Sequence, residues 1–267
     1  NFPASPSLPL CATRGVPGFH KAADLVMLES SPVLRAAQQD KLGTYEVTHI
    51  ADLTDLKQQP LFCVANEFFD ALPIRQFVRQ ETGWSERQIG VDGGALMWGL
   101  SPPLHIETLA HRVKATRTGD IVETCTPASG FVLPVAERIT GSGGAALFID
   151  YGEWQSLGDT LQALSNHAPV NPLADPGSAD LTAHVDFEAL LRGLTMQCSG
   201  LTPQGVFLER LGITARAQTL AQGLSGQALE SHVVAHRRLT HPTEMGTLFK
   251  VVGLTPEGAS PIPGLNT

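Results

Sequence analysis

The chain has 267 residues, 42% of them apolar and 16% charged, enough to bury the core of one large α/β domain or two small ones and too apolar to stay disordered. A formal net charge of −8 without any run of Lys or Arg speaks against nucleic acid or an anionic membrane surface as partner. No apolar stretch reaches the ~20 residues that span a bilayer, so no membrane insertion is expected. Cys11, Cys63, Cys125 and Cys198 form no C-x-x-C pair and read as reduced thiols, which favours a reducing compartment. The opening "NFPASPSLPLCATRG" is neither a signal nor a transit pattern and reads as an irregular lead-in.

Three short apolar runs, "DLVMLE" (24–29), "LFCVANE" (61–67) and "AALFIDYG" (145–152), have the unbroken pattern of strands buried on both faces of a parallel sheet. Helical patterns alternate with them. Ser31-Pro32 opens one as N-cap and first-turn proline, and "PASGFVLPVAERI" and "VDFEALLRGL" are two more. The alternation predicts a doubly wound α/β sheet in a single domain over 1–267. A β insertion is expected over 76–104, where "TGW" and "DGG" split strand-like runs, and a mainly helical insertion over 153–240. "GSGG" (141–144) reads as a helix-to-strand turn and 246–255 as a closing strand.

Each of the three apolar runs ends in an acid: Glu29, Glu67 and Asp150. Ligand crevices of open α/β sheets lie at the carboxyl ends of the strands. Gathering acids there is costly unless they meet hydroxyls, cations or amides, although each could instead cap a helix or turn.

"NEFFDALP" (66–73) resembles the signature of the MidA family of S-adenosylmethionine-dependent methyltransferases. "LESSPVLRAAQ" (28–38), "GDIVE" (119–123), "LFIDYG" (147–152), "PGSADLTAHVDF" (176–187), "QGVFLERLGI" (204–213) and "EMGTLFKV" (244–251) agree in order along the chain. The resemblance implies a class I, Rossmann-like methyltransferase fold, S-adenosylmethionine as cofactor and a protein substrate. It further implies transfer to an arginine, as in the family's complex I assembly factor, which acts on a complex I subunit. It implies cytoplasmic placement in a bacterium and the mitochondrial matrix in a eukaryote. In one respect the sequence departs from the family. The Gly-rich turn expected some twenty residues before "LVMLE" is missing from "NFPASPSLPLCATRG", where Pro6 and Pro9 make a poor central strand. The expectation is therefore a chain lacking the family's N-terminal part and its central first strand. A non-catalytic assembly or scaffold protein with a degenerate methyltransferase fold is the alternative.

Carried over residue by residue, the resemblance makes Glu29 the acceptor of two ribose hydroxyls, its alternative being a charge beside the Ser31 cap. Asp52 reaches the adenine amine, or is a loop aspartate. Asn66, Glu67 and Asp70 are the catalytic candidates, because orienting a planar cationic guanidinium takes bidentate acceptors. Phe68 would wall the cofactor, with at least one of Phe68 and Phe69 plain core. Asp150-Tyr151-Gly152 completes the pocket or simply turns. Asp180, His184 and Asp186 share parity on one strand face, yet Asp186 before "FEALLRGL" reads equally as an N-cap. His232 and His236 have helical metal-pair spacing without the Glu of H-E-x-x-H, and no metal is expected.

Overall fold

The computed structural model describes residue 18 and residues 22–43, 46–166 and 168–266. The chain divides into two compact units, residues 1–59 and 60–267. In the first, strand β1 (Leu25–Leu28), helix α1 (Pro32–Leu42) and strand β2 (Val47–Ile50) make one parallel crossover, Leu25 opposite Val47 and Leu28 opposite Ile50. The Ser31 hydroxyl accepts from the Leu34 N–H at 3.3 Å with Pro32 in the first turn, as the sequence predicts.

The second unit is built on β3 (Leu61–Asn66) and β8 (Gly144–Glu153). Between them come β4 (Arg75–Gln80), β5 (Gly83–Asp92), β6 (Ala95–Leu100), β7 (Ile121–Thr124) and helix α2 (Thr126–Ser142). Beyond β8 follow β9 (Gln162–Ser165), β10 (Ala168–Val170), β11 (Asp180–Thr182), β12 (Val185–Asp186), α3 (Phe187–Leu191), β13 (Gln197–Cys198) and β14 (Thr202–Pro203). Helices α4 (Gln204–Arg210), α5 (Ile213–Ala221) and α6 (Gly226–Thr240) precede the closing strand β15 (Phe249–Thr255).

β8 is the centre of a mixed sheet. β3 runs parallel to it from Leu61 opposite Gly144 to Asn66 opposite Ile149, and β15 runs antiparallel from Phe249 opposite Tyr151 to Leu254 opposite Ala146. The "GSGG" turn is real: Gly143 caps α2 with its N–H on the Ile139 carbonyl at 2.9 Å. At Gly144, where β8 first meets β3, φ is +115° and a Cβ would stand 2.0 Å from the Leu61 carbonyl oxygen, so only glycine fits. Val132, Val135 and Ile139, spaced three and four apart, give α2 its fully buried face.

Three expectations are corrected. β3 is not buried on both faces: Phe62 is 73% and Val64 50% exposed, and β8 is the strand's only ladder partner among the described residues. Residues 1–15, which contain the candidate filling strand "PSLPLCA", lie outside the described residues. The region 153–240 is not mainly helical. Its first part forms the antiparallel sheet β10-β9-β11, and continuous helix begins only at Gln204. The β insertion is four strands, ordered β6-β5-β4-β7, because β7 pairs with β4 over Arg75–Val78. Phe77, Trp84, Leu109 and Val122 form its own small core.

Candidate active site

β3 ends at Asn66, opposite Ile149, while the parallel β8 runs on to Glu153, so the chain leaving β3 turns beside Asp150. The Glu67 N–H still donates to the Ile149 carbonyl at 2.9 Å. Glu67 itself takes a left-handed conformation, φ 49°, costly for a residue with a Cβ and common at functional turns. The turn is wound around Asp150. Its Oδ2 accepts from the backbone N–H of Phe68 (3.2 Å), Phe69 (2.9 Å) and Asp70 (3.3 Å), and its Oδ1 from that of Tyr151 (3.0 Å). Asp150 is fully buried. Burial and the neighbouring Asp70 charge push its pKa from the ordinary 3.8 up to about 8, against the pull of those N–H donors.

The turn separates its polar side chains. Asn66 and Glu67 face solvent, the Asn66 amide donating to the Glu67 carboxylate at 3.3 Å. Asp70 turns inward and is 6% exposed; its Oδ1 is buried with no hydrogen-bond partner. The Tyr151 phenol lies near enough to Asp70, and Thr182 of β11 near enough to Tyr151, to influence the neighbour's ionisation. Burial first, and then the Glu67 charge, raise the Asp70 pKa, while the nearby Tyr151 phenol opposes the rise. Burial, aided by both neighbouring carboxylates, also lifts the Tyr151 phenol well above its usual value.

Phe69 is plain core, 3% exposed and edge-on to Phe148 at 5.0 Å. Phe68 is only half-buried, tilted against Phe131 with ring centroids 4.5 Å apart. Glu29 ends β1 half-buried, its two oxygens accepting from the Ser31 N–H (2.9 Å) and the Gln38 amide (3.3 Å). Asp52 is exposed and caps the short turn Leu53–Asp55, with Oδ1 taking the Thr54 N–H at 2.8 Å. Asp186 caps α3 through the Ala189 N–H at 2.9 Å and so leaves the Asp180–His184 face. His232 and His236 tie α6 to α5, through the Ala217 carbonyl and the Thr214 hydroxyl.

Residues 9–207 match the family model described as "Putative S-adenosyl-L-methionine-dependent methyltransferase". The chain belongs to this family. It is 32% identical over 244 residues to the protein arginine methyltransferase NDUFAF7, mitochondrial, of Xenopus tropicalis, covering 89% of this chain and 56% of that protein. The Danio rerio protein of the same name is 37% identical over 194 residues, covering 70% and 45%. A Burkholderia thailandensis protein of the COG1565 superfamily, crystallised with S-adenosyl-homocysteine, superposes with a TM-score of 0.78 at 28% identity. The overlap covers 96% of this chain and 69% of that one. The chain thus spans about half the length of the curated relatives it matches. The fold is that of the class I methyltransferases, and S-adenosylmethionine is the family's cofactor. The NDUFAF7 relatives are mitochondrial, so the cytoplasmic expectation finds no support in them. No helix among the described residues is long and apolar enough to cross a membrane.

The residues present fit the cofactor's chemistry. Two carboxylates, Glu29 and Asp52, stand just past the carboxyl ends of the parallel pair β1 and β2, and each keeps lone pairs beyond its local hydrogen bonds. That acceptor set suits a diol and an amine. Glu29→Ala is therefore expected to weaken S-adenosyl-homocysteine binding roughly tenfold or more, by loss of charge-assisted hydrogen bonds, with turnover at saturating cofactor retained. Unchanged affinity in a calorimetric titration would reduce Glu29 to its bonds with Ser31 and Gln38.

Tyr151 was legible only as part of the Asp150-Tyr151-Gly152 segment, and nothing in the sequence pointed to its neighbour Thr182. Adjacent strand residues alternate faces, so Asp150 and Tyr151 act in different places, but only the fold brings β11 alongside.

Proposed function

We propose that the protein to which this chain belongs transfers a methyl group from S-adenosylmethionine to an arginine of a protein substrate, a respiratory complex I subunit or one like it, with a mitochondrial site of action as for its relatives. The observation that carries this reading is the turn that leaves β3 and winds around Asp150 of β8, which offers two carboxylates and an amide within five residues.

When bound, the cofactor would supply an electrophilic methyl on a sulfonium, and the acceptor nitrogen that takes the methyl would give up a proton. Glu67, solvent-facing and hydrogen-bonded to Asn66, orients the guanidinium and draws positive charge away from the attacking nitrogen. Asp70, buried at the turn and raised in pKa by that burial, accepts the released proton. Phe68 keeps an apolar wall beside them. Positioning supplies most of the acceleration.

Glu67→Gln tests this directly. Loss of one charge-assisted pair is worth ~1.5–3 kcal/mol, or roughly tenfold to a hundredfold in rate, with cofactor affinity retained. Parallel losses of turnover and cofactor binding would defeat the role assigned to Glu67. A titration that finds no S-adenosylmethionine binding by the protein would instead favour an assembly factor without catalysis.

A further inference from the structure

Beside the turn, a cavity of about 690 Å³ opens between strands β4–β6 and β11. Its lining grades from the exposed Ile89 and Leu181 to the buried Asp70, Gln76 and Ala183. Most of that lining is apolar. Its two arginines are already neutralised: Arg75 is paired bidentately with Glu86 at 2.6 and 2.8 Å, and Arg87 with Asp159 at 2.5 Å. The Arg87 Cζ also lies over the Trp98 ring, 4.1 Å from its centroid. Asp70 is left as the cavity's one carboxylate without a cationic partner among these residues, and its Oδ1 has no hydrogen-bond partner at all. A half-open, apolar-walled space with one acid lacking a cationic partner at its buried side is complementary to a long aliphatic side chain that ends in a cation.

The cavity does not stop at its rim. Ile89 and Trp98 are paired across the β5–β6 hairpin, so they share a face, and the next pair outward on that face is Val91 and Leu96. Val91 is 71% and Ile89 55% exposed, an apolar strip leading away from the opening. Monomeric surfaces seldom leave such a strip continuous with a cavity unless something covers it.

We propose that the cavity and the hairpin face together hold an extended segment of the protein substrate, its basic side chain reaching in toward Asp70 and its flanking apolar residues resting on Ile89, Val91 and Leu96. This rests on the reading that the protein methylates arginine, and it adds the entry route of the acceptor and the residues that select its neighbours.

The test uses a fluorescein-labelled pentapeptide with a central arginine between valines and leucines, and a counterpart with norleucine at the centre, both measured by fluorescence anisotropy. The arginine peptide is expected to bind at least about tenfold tighter, and Asp70→Asn to remove most of that preference. Val91→Glu, at an exposed position where folding is not at stake, is expected to weaken the arginine peptide about tenfold. Equal binding of the two peptides, or indifference to Val91→Glu, overturns the proposal. Sedimentation that shows a dimer dissolved by Val91→Glu, with no peptide bound, overturns it in favour of a second copy of the chain on the strip. Transfer of labelled methyl separates the two readings. A peptide that binds in this manner but is never methylated leaves the groove standing and removes arginine transfer. A peptide that is methylated equally by wild type and by Val91→Glu does the reverse.

Discussion

Replacing Asp150 by alanine is expected to destabilise the protein by about 3–5 kcal/mol, among the larger effects a single substitution produces. The carboxylate is the acceptor for four backbone N–H groups, those of Phe68, Phe69, Asp70 and Tyr151. Two of these belong to residues in the core or nearly so, Phe69 at 3% and Asp70 at 6% exposed, where water cannot readily replace the lost partner. Urea unfolding measures the loss. Stability within 1 kcal/mol of wild type, on the order of one lost hydrogen bond, would show that the turn keeps its shape without the anchor.

The same residue carries a pH signature. Its folded pKa, about 8, lies above its ordinary 3.8, so between these values the folded state holds a proton that the unfolded state has released. The stability this contributes is fully present below 3.8 and is lost as pH rises through about 8. Wild-type stability should therefore decline with rising pH across that window, and Asp150→Ala should lose that part of the slope. A slope unchanged in the variant would assign it to other groups, Asp70 first.

Arg112→Met is the second large expected effect, ~3–5 kcal/mol, because it strands a buried charge. Arg112 Nη1 stands 2.6 Å from Asp186 Oδ2, with the two side chains 4% and 7% exposed, and Nη2 donates to the Ser156 carbonyl at 2.7 Å. Asp186 meanwhile caps α3 and accepts the Ser156 N–H at 3.1 Å, so one pair joins the Glu107–Ala115 segment, the chain leaving β8 and the start of α3. Combining Arg112→Met with Asp186→Asn removes the unpaired charge while an amide oxygen can still accept from Ala189. The double variant should be no less stable than Arg112→Met alone. Simple additivity of the two losses would mean that the pair is not coupled.

Elements set by local pattern were legible in the sequence. Ser31-Pro32 announced α1, Asp186 announced α3, "GSGG" the α2-to-β8 turn, and "DGG" the β5–β6 hairpin, whose Gly93 and Gly94 take φ values of 56° and 83°. Each signal rests on a few neighbouring residues whose hydrogen bonds or dihedral preferences act within one turn of chain. The ends of the first two apolar runs were legible for the same reason, and they located Glu29, Asn66, Glu67 and Asp70 at or just past strand termini, whereas Asp150 stands inside β8, which runs on to Glu153. The ordered motifs supplied the family.

Tertiary structure decided what those acids do. Glu67 and Asp70, three residues apart, face solvent and interior respectively because the chain winds around Asp150, about eighty residues away in sequence. Phe69 rather than Phe68 became core because Phe148 of β8 stands against it. The strands β9–β11 escaped notice because segments of three or four residues carry too little alternation to be read, and their stability comes from partners elsewhere in the chain. A hydrogen bond between distant segments has no local propensity to betray it, so the sequence alone determined where the site's acids stand along the strands, and the packed fold determined which of them is buried, which is satisfied, and which is left with an open oxygen.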